Sequence, residues 1–211
     1  KEINSKEKNI EIVIVDNGST GETSLVLDEI ASNLPFITRV KVEINQGYGH
    51  GILAGLNVAQ GEILGWTHAD MQADPGDALK GLEFFQRSHK PEFLFVKGKR
   101  HGRSILDNVF TIGMAIFETL LLRKFMWDIN AQPTMFHRKF LLAWKLPPND
   151  FSLDLYAYYI AKKSKFSVKR FPVVFNERAH GVSNWNVSFT SKYHFIKRTL
   201  LYSFGLQKRM R

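Results

Sequence analysis

Cysteine is absent from the 211 residues, so no disulfide framework can staple this chain. That fits a reducing compartment. Long apolar runs are absent too. The longest, Val109 to Leu122, is broken by Glu118 and falls short of the ~20 residues that a bilayer-spanning helix needs. No repeat, low-complexity tract or linker divides the chain. It reads as one domain with two halves, 1–103 and 104–211. Residues Lys1 to Asn9 are polar and do not read as a secretory signal. Acids are scarce relative to bases, 20 against 29, for a net charge of +9. Such a balance attracts nucleic acid, anionic lipid or phosphorylated small molecules. No nucleic-acid recognition motif is present, so nucleic acid is not an expected partner.

What is present alternates. Glu11 to Asp16 is a short β-branched run ending in the turn cluster Asp16-Asn17-Gly18-Ser19-Thr20, which predicts a buried strand and a turn. Ser24 to Leu34 has helical spacing. Arg39 to Ile44 alternates charged and apolar residues as a strand does. After the glycine-rich stretch Asn45 to Gly51, Ile52 to Gln60 reads as a helix. Glu62 to Thr67 is a third strand, Asp77 to His89 a helix, and Phe93 to Val96 a fourth strand. This order predicts an α/β layer with a mainly parallel sheet flanked by helices. Beyond it lie an apolar helix (Ser104 to Lys124), a strand running into a short helix (Thr134 to Phe140), and an aromatic-rich helix (Leu153 to Lys163). A strand (Ser167 to Phe175), a polar loop (Arg178 to Trp185) and a basic amphipathic helix (Phe189 to Arg211) follow.

In open parallel sheets, ligands bind beyond the carboxyl ends of the strands. The residues predicted there are Asp16-Asn17, Asn45 to Gly51, His68 to Gln72 and Lys97 to Arg103. They offer acceptors, close turns, metal-binding groups and cations, a set that suits a nucleotide diphosphate. Asp70 and Gln72 are two apart, and in an extended segment they share a face with His68. Their oxygens suit Mg²⁺ or Mn²⁺, and the imidazole tilts the choice towards Mn²⁺. The other reading of Asp70 is a turn that, with Asp74 and Pro75, starts the next helix. The basic run Lys97 to Arg103 has two readings as well: a solvated loop, or arginine forks for phosphate oxygens. Gly47-Tyr48-Gly49-His50-Gly51 lacks the Gly-x-Gly-x-x-Gly spacing of a dinucleotide site. Trp66 and Trp144 are expected in the core. His50, His101, His137 and His180 are expected in loops or near basic residues, with no catalytic role.

Four blocks, in order, resemble family 2 glycosyltransferases of the GT-A fold, close to the polyprenyl-phosphate sugar synthases typified by dolichol-phosphate mannose synthase. They are Ile12 to Thr20; Asn45 to Ile52 with Gly55, Ala59, Gly61 and Glu62; His68-Ala69-Asp70-Met71-Gln72 with Pro75; and Arg178-Ala179-His180-Gly181-Val182-Ser183. The resemblance implies a Rossmann-like GT-A domain, a nucleotide diphosphate sugar as donor and a divalent cation. It implies that Asp16, with Asn17, Gly18, Asn45 and Gly47, holds the nucleotide, and that Asp70, Gln72 and His68 hold the metal. Arg100, Arg103 and Arg178 would neutralise the diphosphate, with Ser183 in the same closing loop. Asp128 would act in catalysis or acceptor positioning, and Asp154 is a second candidate base for a hydroxyl acceptor. Two departures stand out. The family has Asp where this chain has His68. The family's first strand, which lines the base pocket, is absent from the front of this sequence, and residues before Lys1 are expected to be missing.

The reading is therefore an inverting hexosyltransferase acting on polyprenyl phosphate. The alternatives are transfer to a saccharide hydroxyl, a non-catalytic nucleotide-sugar-binding module, and a basic nucleic-acid-binding protein. From Lys192 onward there are six Lys or Arg and no acid. That helix reads as lying on an anionic membrane surface or as packing on the domain with a wet basic face. The expected location is cytoplasmic, peripheral on the inner face of the membrane.

Overall fold

The computed structural model describes residues 10–19, 22–70, 72–102, 105–175 and 189–210. Strand β1 (Ile12–Asn17) is followed by helix α1 (Thr23–Asn33), strand β2 (Ile37–Val42), helix α2 (Tyr48–Val58) and strand β3 (Ile63–Trp66). Helix α3 (Asp77–Gln86), strand β4 (Leu94–His101) and helix α4 (Ile105–Leu122) come next. Strand β5 (Thr134–His137), helix α5 (Ser152–Lys163), strand β6 (Ser167–Val174) and helix α6 (Phe189–Arg209) complete the order. Strands β1 and β2 pair in parallel, with Asp16 opposite Lys41. The other four form a sheet in the order β3-β5-β4-β6. There β4 and β6 are parallel, and β5 runs antiparallel to both neighbours. So β3, β4 and β6 point one way and β5 alone runs against them. This is the expected α/β fold, mainly parallel and flanked by helices. The direction of β5 was not predicted, because strand periodicity carries no direction.

Alternation along β4 and β5 splits the core between two faces. Phe95 and Phe136 enter one cluster with Phe140, Tyr156, Tyr158 and Leu206. Leu94, Val96 and Met135 enter the other with Phe85 of α3 and Phe171 and Val173 of β6. Phe95 stacks on Phe136 and on Tyr158, and Phe140 meets both phenylalanines edge-on. Trp66 lies in this core and Trp144 packs against it, as expected. Helix α5 is buried at every position from Ser152 to Ala161.

Several boundaries differ from the sequence reading. Strand β2 starts two residues earlier and ends at Val42, leaving Ile44 74% exposed. Helix α2 begins at Tyr48, so the glycine-rich stretch is its first turn and His50 is helical. Helix propensity counts against glycine. Here packing overrides it, because a Cβ on Gly49 would lie 2.5 Å from the Pro148 carbonyl oxygen. Strand β4 continues to His101, which corrects the solvated-loop reading of the basic run for residues 97–101. His137 lies in β5, within the predicted strand and beside Arg138, with Nε2 3.1 Å from Glu62.

Candidate active site

The carboxyl end of β1 and the start of α2 form one locked floor. Asn17 Nδ2 donates to the Gly47 carbonyl at 3.0 Å and to Asn45 Oδ1 at 3.4 Å. Asn45 Oδ1 also accepts the Gly47 N–H at 2.9 Å. Gly18 has φ +74° and Gly47 φ +116°, a region costly for other residues. A Cβ on Gly18 would sit 2.6 Å from the Asn45 nitrogen, and one on Gly47 2.5 Å from the Asn149 carbonyl oxygen. Asn17 Oδ1 is buried, and among the described residues no group donates a hydrogen bond to it. Asp16 is 3% exposed. Its Oδ1 accepts the Ser19 N–H at 3.0 Å and its Oδ2 accepts Arg39 Nη2 at 2.9 Å. Ser19 first and Arg39 second hold this carboxyl down at about 2. The structure thus brings Asp16, Asn17, Gly18, Asn45 and Gly47 together, with Arg39 as a partner that sequence reasoning missed.

Residues 68–73 follow β3. Ala69, Asp70, Gln72 and Ala73 bend rather than continue as an extended strand, so the alternation that would put His68, Asp70 and Gln72 on one face is not kept. Asp70 Oδ1 accepts the Gln72 backbone N–H at 3.2 Å, while Asp74 Oδ1 accepts that of Gly76 at 2.8 Å. Among the described residues, no group of three or more His, Cys, Asp or Glu side chains forms a complete metal cage. This suits Mg²⁺ or Mn²⁺, which bind through one or two carboxylates and draw remaining ligands from water and substrate phosphates. Asp70 at the strand end, with the Gln72 amide and the His68 imidazole nearby in sequence, is such a partial donor set.

The second cluster joins residues from both halves of the chain. Asp128 takes the Arg100 backbone N–H on Oδ2 at 2.9 Å and Arg100 Nε on Oδ1 at 2.7 Å, and Arg100 Nη2 meets the same Oδ1. Burial pushes the Asp128 carboxyl up, but the Arg100 guanidinium outweighs it and holds the group below its ordinary value. Asp128 has φ +44°. Left-handed backbone in a non-glycine residue is costly and persists where surrounding contacts fix it. Arg170 supplies some of them, donating Nη2 to the Asp128 carbonyl at 2.8 Å and Nη1 to that of Trp127.

Beneath the site lies a third group. Asp154 on α5 is 1% exposed. Its Oδ2 accepts the Tyr48 hydroxyl at 3.0 Å, and Gln132 Nε2 donates to that hydroxyl. Lys97 is fully buried, bonds Thr134 Oγ1 at 2.6 Å and lies 3.9 Å from Asp154 Oδ1. Burial lowers the Lys97 ammonium to about 8, with Asp154 opposing. Burial and then Asp154 raise the Tyr48 phenol. A row of rings leads outward: His68 lies 5.4 Å from Tyr48, Tyr48 stacks on Phe151 at 4.6 Å, and Phe151 meets Phe195 of α6 at 6.1 Å. Asp128 and Asp154 therefore serve different clusters. Arg103, Arg178 and Ser183 lie outside the described residues.

Sequence reasoning missed Tyr48, Lys97, Gln132 and Arg170. Lys97 had a signal: two positions after Phe95 on one strand, it belongs to the core face.

An α/β sheet with acceptors, a carboxylate turn and an arginine–aspartate pair around its strand ends defines a nucleotide-binding class of fold. The chain belongs to glycosyl transferase family 2, whose profile matches residues 2–163. It is 34% identical over 98 residues to an uncharacterized glycosyltransferase of Nostoc sp., a stretch covering 46% of this chain and 29% of that protein. Its fold is similar to glucosyl-3-phosphoglycerate synthase from Mycobacterium tuberculosis, solved with Mn²⁺ and uridine-diphosphate-glucose: TM-score 0.65, 16% identity, covering 92% of this chain and 67% of that one. It is also similar to a mannosyltransferase from Pyrobaculum calidifontis in complex with GDP-Man and Mn²⁺: TM-score 0.62, 19% identity, covering 94% of this chain and 55% of that one. Among the described residues no helix is long and apolar enough to cross a membrane.

Proposed function

We propose that this chain carries the catalytic domain of an inverting hexosyltransferase that moves a sugar from a nucleotide diphosphate to a polyprenyl phosphate. The observation that carries the acceptor class is the state of the two buried carboxylates. A sugar hydroxyl needs a general base within reach of its proton. Asp128 is engaged by Arg100, and Asp154 is buried beneath the Tyr48 hydroxyl. A phosphate monoester needs no such base, because its second pKa of about 6 leaves it anionic near neutral pH.

In this reading Asp16, Asn17, Gly18, Asn45 and Gly47 seat the nucleotide, and the buried Asn17 Oδ1 takes a donor from it. Asp70 with Gln72 and His68 would hold Mg²⁺ or Mn²⁺, which would supply positive charge for the diphosphate leaving group. Arg100, oriented by Asp128, faces the same charge, and the sequence resemblance assigns that role to Arg103, Arg178 and Ser183 as well. The acceptor oxygen forms a bond to the anomeric carbon while the bond to the diphosphate breaks, and its electrons leave with the nucleotide. Asp154 fixes Tyr48 and through it the ring beside His68. The first half serves the donor and the second serves the acceptor, at a membrane surface approached through the basic helix α6.

The test is incubation with a panel of labelled nucleotide sugars, with and without polyprenyl phosphate. Label in the organic extract only when the lipid phosphate is present is the expected result. Label in a water-soluble glycan would favour the saccharide acceptor. Tight nucleotide-sugar binding without turnover would favour a binding module.

A further inference from the structure

Among the described residues, helix α4 is apolar on a side that nothing covers. Val109 is 61% exposed, Ile112 41%, Ile116 55% and Leu120 74%. At about 100° per residue these four fall on one narrow stripe. Ala115, Glu118 and Leu122, which are buried, lie on the opposite side. A surface helix of a globular protein normally turns charged residues outward. Here Glu118 points inward to Ser203 on α6. The stripe continues into Phe125, 65% exposed, beside exposed Arg123 and Lys124.

Helix α6 packs alongside. Phe117 of α4 meets Phe204 of α6 edge-on at 6.0 Å, and Gln207 Nε2 donates to the Leu121 carbonyl at 2.8 Å. Its own outer face mixes Leu201, 63% exposed, and Phe204, 52%, with the cations Lys197 and Lys208. No Asp or Glu occurs anywhere in Phe189–Arg209. The two helices thus present an apolar stripe flanked by positive charge. At its other end α6 is tied to the candidate site, through the Phe195–Phe151 contact and through Arg198 Nε at 3.2 Å from Asp150.

We propose that the outer faces of α4 and α6 together form a docking surface for an anionic lipid bilayer, with the α4 stripe seated among the acyl chains and the α6 cations at the headgroups. The proposal deepens the lipid-phosphate reading above by naming the surface that reading requires. Charge selects this occupant. A second copy of the chain would bring the same unbalanced cations against themselves, whereas an anionic headgroup layer complements them. Helices of this composition lie in the interface plane with their apolar side a few ångströms deep, without crossing.

The test is sedimentation of the full chain with vesicles of phosphatidylcholine alone, or mixed with phosphatidylglycerol. Binding to the mixed vesicles is expected to be at least about ten-fold tighter. Ile116→Glu with Leu120→Glu should remove binding at low and high salt. Lys197→Glu with Lys208→Glu should remove it at low salt. None of these residues belongs to the proposed site, so donor binding should stay at the wild-type level, which also reports folding. Equal binding to both vesicle types, or no change in the Ile116/Leu120 variant, would overturn the surface. So would concentration-dependent self-association abolished by the same variant, because a second copy would then be the occupant. Vesicle binding that persists while no lipid phosphate accepts sugar would leave the surface standing and sink the acceptor assignment.

Discussion

Helices α4 and α5 look alike in sequence, each rich in apolar residues, yet their acids live in opposite environments. Helix α5 is enclosed, and Asp154 meets a hydroxyl donor and a lysine. Among the described residues helix α4 is covered on one side only, and Glu118 meets the Ser203 hydroxyl. One oxygen of each acid, Glu118 Oε2 and Asp154 Oδ1, is buried without a hydrogen bond, but only Asp154 has a cation close by, Lys97 at 3.9 Å. Burial with no cation nearby disfavours the charged form of a carboxylate. Burial accordingly pushes Glu118 up to about 7. The difference separates a helix that supports a site from one that supports a surface.

The largest effect is expected at the paired acid. Lys97→Met leaves Asp154 buried without its cation and should cost about 3–5 kcal/mol. The double change with Asp154→Leu should recover much of that loss in chemical denaturation. If the single variant is as stable as wild type, the two acids do not differ in the way described.

Glu118 comes next. Its folded value lies above the ordinary 4.5, so the folded state holds the proton more tightly. Its contribution is intact below pH ~4.5 and is lost as pH rises through about 7. Glu118→Gln should therefore add up to ~3 kcal/mol at pH 9 and little at pH 4, flattening the slope between. An unchanged slope would show that Glu118 does not titrate in this window.

The smallest effect belongs to the open side of α4. Ile116→Asn should change stability by no more than about 0.5 kcal/mol, since its side chain loses little burial. A cost of several kcal/mol would mean that the stripe is covered by another part of the protein.

Much of this was legible in advance. The order of elements, the glycine-rich turn and the Asp70 segment each left local signals: β-branched runs, turn residues, and a carboxylate just past a strand. What stayed hidden depended on contacts distant in sequence. Arg100 and Asp128 bond across 28 positions, and Asp128 reaches Arg100 in a left-handed conformation that residue type does not announce. Lys97 read as part of a solvated basic run because burying a lysine is rare, and only the neighbourhood of Asp154, Thr134 and Tyr158 makes it tolerable. The bends at Ala69, Asp70, Gln72 and Ala73 took the place of the extended face expected of His68, Asp70 and Gln72, where Asp70 accepts the Gln72 backbone N–H.

The central claim is that Asp70 anchors a divalent cation for a nucleotide-sugar donor. Its most direct test is release of nucleoside diphosphate from the donor panel, with Mn²⁺, Mg²⁺ or chelator, in wild type and Asp70→Ala. The account predicts metal-dependent release that falls at least about a hundred-fold in the variant while its folding is retained. Release at the wild-type rate from Asp70→Ala, or release indifferent to chelator, would contradict it.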